Sequence, residues 1–419
     1  MTPTARLQAA IEILDGLMSS RAPADKALKT WGAGHRFAGS GDRRAIAERV
    51  YACLRQGAPA RGGRLMAAVS LMQDDGLDLD GVQAMFSGIS YGPAPLTADE
   101  LAALDAANDA APQLPDFLSS ELGRSFGKDW QAETRSLLQS RAPLDIRVNL
   151  LSAFPVAVQA ALADLSIKAE PTPFASAGLR LAIGDDIQAL DIFKEGAFEI
   201  QDEGSQIMAA LCNVQPGQTV IDYCAGGGGK TLALAAGLKG GRMVSFDIDD
   251  RRLAAIEPRL KRAGVEADLR KIGAKGDPVE DLKSAADRVL VDAPCSGSGT
   301  WRRHPEGAAR LTADDLRRLS ALQLRILADA GAFVKPGGVL AYVTCSVLAA
   351  ENGNVVARFA AKNPQFQPLS IADVAAACPG LTAAGRERIS TLARGHQLQL
   401  SPRRTGTDGF FIALFERRP

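Results

Sequence analysis

The stretch VIDYCAGGGGK, residues 220–230, decides how the rest of the chain is read. It opens as a short apolar run, meets a carboxylate at Asp222, and breaks into four consecutive glycines, Gly226 to Gly229. Lys230 and Thr231 then begin an apolar helical pattern. A strand that runs into glycine and reopens as a helix is how α/β proteins build a ligand cradle. Glycine lets the backbone approach the ligand, and the first helical turn leaves N–H groups free. Three ligands compete for it. A nucleoside-triphosphate loop needs GxxxxGK[ST]; Gly229–Thr231 supplies GKT, but Cys224 stands where the first glycine belongs. A dinucleotide needs GxGxxG and an acidic residue at the next strand end. Asp247 in SFDID meets the second requirement, while the glycines are too closely spaced for the first. S-adenosylmethionine (SAM) needs a glycine turn and an acidic residue for its ribose, again Asp247. The loop alone does not choose between SAM and a dinucleotide.

Outward from the loop, the text from about residue 200 alternates between strand and helix. RMVSFDID, RVLVDAPC, VLAYVTCS and the terminal GFFIALFERR read as strands, with a weaker one near ADLRKI. KTLALAAGL, DRRLAAIEPRLKRAG, DDLRRLSALQLRILADAGAFV and ENGNVVARFAAK read as helices. Repeated βα units predict a mostly parallel sheet covered on both faces, with its ligand at the carboxyl ends of the strands. Asp222, Asp247, Asp292 and Cys345 all fall at such ends, so they are expected to face one crevice.

The flanks differ. Residues 1–137 read as helical and alanine-rich, with Leu7, Ala10, Ile11, Leu14 and Leu17, then Ile46, Val50, Cys53 and Leu54, at helical spacing. Thr97 and Glu100 have the form of a capping box. Residues 138–200 read as a small α/β connector, with PLDIRVNLL and GLRLAI as strands around the helical VAVQAALADL. Residues 201–419 are the α/β domain proper. Across all 419 residues the net charge is zero, which lends no support to an extended basic surface but leaves room for a local one. The six cysteines form no CxxC pair and only three histidines are present, a poor supply for a zinc site or a disulfide framework. The N-terminus has no signal-peptide shape and no window is apolar enough to span a membrane, so a cytoplasmic location is expected, without membrane or metal.

Two cysteines select the chemistry. DAPCSGSG (292–299) closes one strand and TCS (344–346) a later one, so Cys295 and Cys345 are expected in the same crevice. A lone cysteine is more often a small buried hydrophobe than a nucleophile. A pair at two strand ends has the makings of thiolate attack on C6 of a pyrimidine, which turns C5 into a nucleophile for an electrophilic methyl group. Asp292 sits where it could contact N3 of the base.

DYCAGGGGK, SFDID, DAPCSGSG, TCS and the closing GTDGFF together resemble the Sun/RsmB-type RNA cytosine-C5 methyltransferases, in detail over roughly 140–419. More weakly, DRRAIAERVYACLR looks like a NusB-like RNA-binding domain. The resemblance implies an α/β fold: a Rossmann-like SAM-dependent methyltransferase domain preceded by a helical NusB-like domain and the connector. It implies Cys345 as the nucleophile, Cys295 as the group that helps release the adduct, Asp292 on the cytosine and Lys230 orienting the site's carboxylates. For the cofactor it implies Cys224, Ala225, Gly226, Gly227, Gly228, Gly229 and Lys230 around SAM, with Asp247 on the ribose and Asp292 alongside. The implied substrate is RNA, and ribosomal RNA above all. Arg302, Arg303 and His304 in TWRRHPEG would hold its phosphates. Two departures stand out: Gly227 replaces the family's proline, and no carboxylate stands near Gly273, where the family has an aspartate close to the adenine; Asp277 is the nearest downstream. The second leaves a catalytically weak SAM- and RNA-binding assembly factor as the alternative. A DNA cytosine methyltransferase would carry its nucleophile beside a proline, as at Pro294–Cys295, and the TCS motif speaks against it.

Overall fold

The computed structural model of the chain describes residues 1–20, 22–56, 62–107, 114–182, 187–273 and 279–419. Two compact units emerge. One comprises Met1–Ser120, Trp130–Arg141 and Thr300–Thr312; the other comprises Glu121–Asp129, Ala142–Gly299 and Ala313–Pro419.

The first unit is helical. Helices Pro3–Ser19, Ser40–Arg55 and Gly62–Gln73 turn one face each inward, so that Leu7, Ile11, Leu14, Ile46, Val50, Cys53, Val69 and Leu71 form a single core, as the helical spacing predicts. Burial pushes the Cys53 thiol up to about 12, which makes it packing rather than chemistry. The capping box at Thr97 is present: its N–H donates to Glu100 Oε2 at 2.9 Å, and the Glu100 N–H donates to Thr97 Oγ1 at 3.2 Å. Thr300–Thr312 is threaded into this unit. Glu306 Oε1 accepts the first N–H of helix Ala24–Gly34 at 3.0 Å, and Arg310 donates to the carbonyls of Leu17 and Ala22 at 3.1 and 2.9 Å. Arg302, expected as a phosphate contact, is only 5% exposed, because it follows the fully buried Trp301 into this packing.

In the second unit, β1 (Leu144–Val148), β2 (Ala169–Pro171), β3 (Gly178–Leu181) and β4 (Phe198–Ile200) make a small antiparallel sheet in the order β2-β3-β1-β4. Helix Pro155–Asp164 buries Val158 and Leu162 against Ile146, Val148, Leu179 and Phe198. The remaining strands are β5 (Thr219–Asp222), β6 (Arg242–Asp247), β7 (Asp268–Lys271), β8 (Ala286–Asp292), β9 (Val334–Thr344), β10 (Phe366–Pro368), β11 (Gln397–Gln399) and β12 (Phe411–Arg417). They form one sheet in the order β10-β12-β9-β8-β5-β6-β7, with β11 also on β12. From β7 through β9 the pairing is parallel, and β12 returns antiparallel to β9. Both faces are covered, which is why these strands read as apolar runs: Val220, Leu290 and Val343 pack on one side, Ile221, Val289, Val291 and Tyr342 on the other. The chain runs outward from β5 to β6 and β7, then crosses back to β8 on the other flank of β5. The strand order therefore reverses between β5 and β8, and in open α/β sheets the ligand crevice lies at that reversal. Among the described residues no helix is long and apolar enough to cross a membrane.

Candidate active site

Asp222 ends β5, Asp247 ends β6, Asp292 ends β8, and Cys345 directly follows β9. All four lie at carboxyl ends of neighbouring parallel strands, as expected. At the reversal, Lys230 reaches across from helix Gly229–Ala235 to Asp292, with Nζ 2.6 Å from Oδ2. The lysine is buried, which by itself disfavours its charge, but the carboxylate of Asp292 outweighs this and its pKa is raised. Its ammonium also lies 5.3 Å from the centre of the Phe410 ring. Asp222 is fully buried. It accepts from Thr231 Oγ1 at 2.7 Å through Oδ2, while Oδ1 has no hydrogen-bond partner among the described residues. Burial drives its pKa up to about 7, with the charge of Asp292 adding to the shift.

The glycine loop is built by its neighbours. Asp247 Oδ2 accepts the Gly226 N–H at 3.0 Å and its Oδ1 accepts the Asp249 N–H at 2.9 Å, so this carboxylate fastens the loop to the end of β6. Gly226 and Gly228 have φ of 55° and 78°, where a side chain is strained. A Cβ on Gly228 would also stand 2.8 Å from Ile256 Cγ2. Burial raises the Cys224 thiol. At Gly227, where the family has a proline, the carbonyl accepts from Arg259 Nη1, and Arg259 Nη2 is tied to Glu199 at 2.9 Å. Gly273 lies two residues past the end of β7, and Asp277 lies outside the described residues.

On the far side of the crevice the two thiols meet. Cys295 Sγ and Cys345 Sγ are 3.4 Å apart and unbonded covalently. The Cys295 pKa is raised by its hydrogen bond to Cys345, then by burial and by the negative charges of Cys345 and Glu351. GTDGFF earns its place here as well. Gly409 donates its N–H to the Gly299 carbonyl at 2.8 Å, and a Cβ on Gly299 would sit 1.8 Å from the Gly409 oxygen, so both positions need glycine. Sequence reasoning missed the polar supports of this region, Ser296, Ser298, Gln323, Ser346 and Glu351, and Arg259 at the glycine loop. They are ordinary polar residues in sequence, and only the serines flanking the two cysteines hinted at a role.

An α/β sheet with a glycine loop, an acidic residue at the second strand end and two thiols beyond the reversal has the layout of a cofactor-dependent α/β enzyme. The family described as 16S rRNA methyltransferase RsmB/F matches residues 209–416, and the ferredoxin-like domain of RsmF/B-like methyltransferases matches residues 114–188. The chain belongs to this RsmB/F family of SAM-dependent methyltransferases. The ribosomal RNA small subunit methyltransferase B of Pseudomonas putida is 33% identical over 302 residues, covering 71% of this chain and 65% of that protein. The chain thus spans just under two-thirds of the length of the curated relatives it matches. Among solved structures, PH0851 superimposes with a TM-score of 0.75 at 23% identity, covering 100% of this chain and 99% of that one. NSun6 from Pyrococcus horikoshii, solved with SFG, gives 0.60 at 19% identity, covering 73% and 98%. These two likenesses concern the fold.

Proposed function

We propose that this protein is a SAM-dependent RNA cytosine-C5 methyltransferase acting on ribosomal RNA. The observation that carries the reading is the pair of thiols 3.4 Å apart at the ends of two adjacent parallel strands, beside the Lys230–Asp292 pair. The residues present fit the cofactor. The Cys224–Lys230 loop has the positive-φ glycines of a cradle, and buried Asp222 keeps an oxygen without a partner among the described residues. Asp247 would take the ribose hydroxyls, with Asp292 alongside. SAM, when bound, supplies the electrophilic methyl group.

The chain's own residues do the rest. A cytosine turned out of its stack takes the Cys345 sulfur at C6. The new S–C6 bond moves electron density to C5, and Asp292, oriented by Lys230, faces N3. After C5 has accepted the methyl group, its proton is removed and the S–C6 bond breaks, returning the thiolate. Cys295 is suited to that removal. Its sulfur lies 3.4 Å from the Cys345 sulfur that carries the adduct. Residues 1–137 serve as the NusB-like RNA-binding domain, 138–200 as the connector and 201–419 as the catalytic domain, in a cytoplasmic enzyme. Arg303 and His304 are the remaining candidates for phosphate contacts in TWRRHPEG.

The test is transfer of label from SAM to small-subunit ribosomal RNA. Cys345→Ala is expected to abolish transfer while retaining SAM binding. Full activity in that variant would remove Cys345 from the nucleophile's role.

A further inference from the structure

Six residues after Cys345, outside every motif the chemistry invokes, Glu351 is completely buried. Its carboxylate accepts four hydrogen bonds. Oε1 takes the Ser296 N–H at 2.8 Å and Gln323 Nε2 at 3.0 Å. Oε2 takes the hydroxyls of Ser296 at 2.5 Å and Ser346 at 2.6 Å. Ser296 directly follows Cys295, and Ser346 directly follows Cys345. One carboxylate therefore grips both cysteine loops at the residue next to each sulfur. The carboxylate is itself held: the Glu351 carbonyl accepts from the Tyr342 hydroxyl at 2.6 Å, and Gln323 also donates to the Pro294 carbonyl at 3.0 Å. Further along the loops, Ser298 Oγ lies 2.9 Å from Ser346 Oγ, and the Gly299 N–H donates to the Cys345 carbonyl at 2.9 Å. Those ties secure the loop bodies, whereas Glu351 acts where the sulfurs are.

We propose that Glu351 is a positioning residue that sets the spacing of the two catalytic thiols by joining Ser296 to Ser346. A buried carboxylate is costly to keep unless its geometry is in use, and here its acceptor sites are spent on the two loops. Its charge also reaches Cys295, whose pKa it raises together with Cys345. The titratable groups around Cys295 are Cys345, Glu351 and the phenol of Tyr342, with the Lys230–Asp292 pair beyond.

This proposal rests on the methyltransferase reading, and the experiment separates the two. Glu351→Gln keeps the size and removes the charge. Three quantities are measured on the full chain: SAM affinity by calorimetry, kcat for methyl transfer, and the pH midpoint for alkylation of Cys295 by iodoacetamide, read by mass spectrometry without RNA. The expected result is SAM affinity near wild type, kcat lower by about 10- to 100-fold as for a misplaced reacting group, and a Cys295 midpoint moved to lower pH. Unchanged kcat and midpoint would overturn the proposal. So would a kcat loss matched by loss of SAM binding and melting temperature with the midpoint unmoved, the mark of a merely structural residue. Should Glu351→Gln fail to fold, Ser346→Ala removes the Glu351 tie to the Cys345 loop, together with the Ser346 hydroxyl's contacts to Ser298 Oγ and the Leu348 N–H. It is expected to lower kcat while leaving SAM affinity intact, and full kcat would overturn the proposal. If wild-type protein transfers no methyl group at all, the methyltransferase reading fails, while the alkylation midpoints still report on Glu351.

Discussion

Asp222 shows how much one residue's surroundings matter. In sequence it is simply the carboxylate before a glycine run. In the fold it is sealed under the loop, and burial lifts its pKa from 3.8 to about 7. Between those values the native state holds a proton that the unfolded chain has released. Asp222 therefore contributes stability that is fully present below about pH 4 and is lost as pH rises through about 7, a loss of roughly 2–4 kcal/mol. Asp222→Asn, which can still accept from Thr231, is expected to flatten this part of the stability–pH profile. Thermal melts at intervals from pH 4 to pH 8 check it; parallel wild-type and variant profiles would contradict it. The strand-end position of Asp222 was legible, because apolar alternation gave way to glycine right after it. Its isolation from water was not, since that depends on Thr231 and on strands far along the chain. The same holds for Cys295 and Cys345: their strand ends could be read, but their 3.4 Å approach required β8 and β9 to be neighbours.

At the level of elements, the parallel strands β5, β6, β8 and β9 and the long helices were readable, because each carries an uninterrupted period of two-faced or one-faced apolar residues. The three-residue strands β2, β4, β10 and β11, and helices Ile371–Ala376, Ala383–Leu392 and Pro402–Thr405, were not. They are too short or too weakly patterned to rise above their loops, and are held by partners distant in sequence. The glycine loop is the element where sequence and structure trade explanations. Glycine at position 227 does not restrict the backbone as a proline would, and the fold supplies a brace: Arg259 on the Gly227 carbonyl, itself anchored by Glu199. Arg259→Ala is expected to weaken SAM binding by about 3- to 10-fold, the scale of one partly exposed charged hydrogen bond. Gly228→Ala should be worse, since it combines a left-handed backbone with a clash on Ile256, at a cost of about 1–3 kcal/mol. Calorimetric SAM titration of both variants checks the order. Wild-type affinity in Gly228→Ala would show that the cofactor does not use this turn.

Over the whole molecule, the change from a helical period to alternating strands and helices was visible along the chain. The return of Thr300–Thr312 to the helical unit was not, because a short segment between two elements carries no period that would reveal its destination. Glu306 and Arg310 show what it does there, closing the ends of helices Pro3–Ser19 and Ala24–Gly34. Glu306→Ala is expected to remove about 1–2 kcal/mol of protection, the usual worth of an N-terminal cap, and hydrogen exchange should speed up in helix Ala24–Gly34. Unchanged exchange there would mean that the segment only lies against the helices. The central claim concerns the chemistry that this architecture holds: Cys345 forms the covalent bond and Cys295 releases it. It is tested most directly by incubating Cys295→Ala with SAM and small-subunit ribosomal RNA and resolving the mixture on a denaturing gel. A protein–RNA adduct that accumulates in Cys295→Ala and vanishes in Cys295→Ala/Cys345→Ala is the predicted result. Intact turnover by Cys295→Ala with no adduct, or an adduct that survives loss of Cys345, would contradict it.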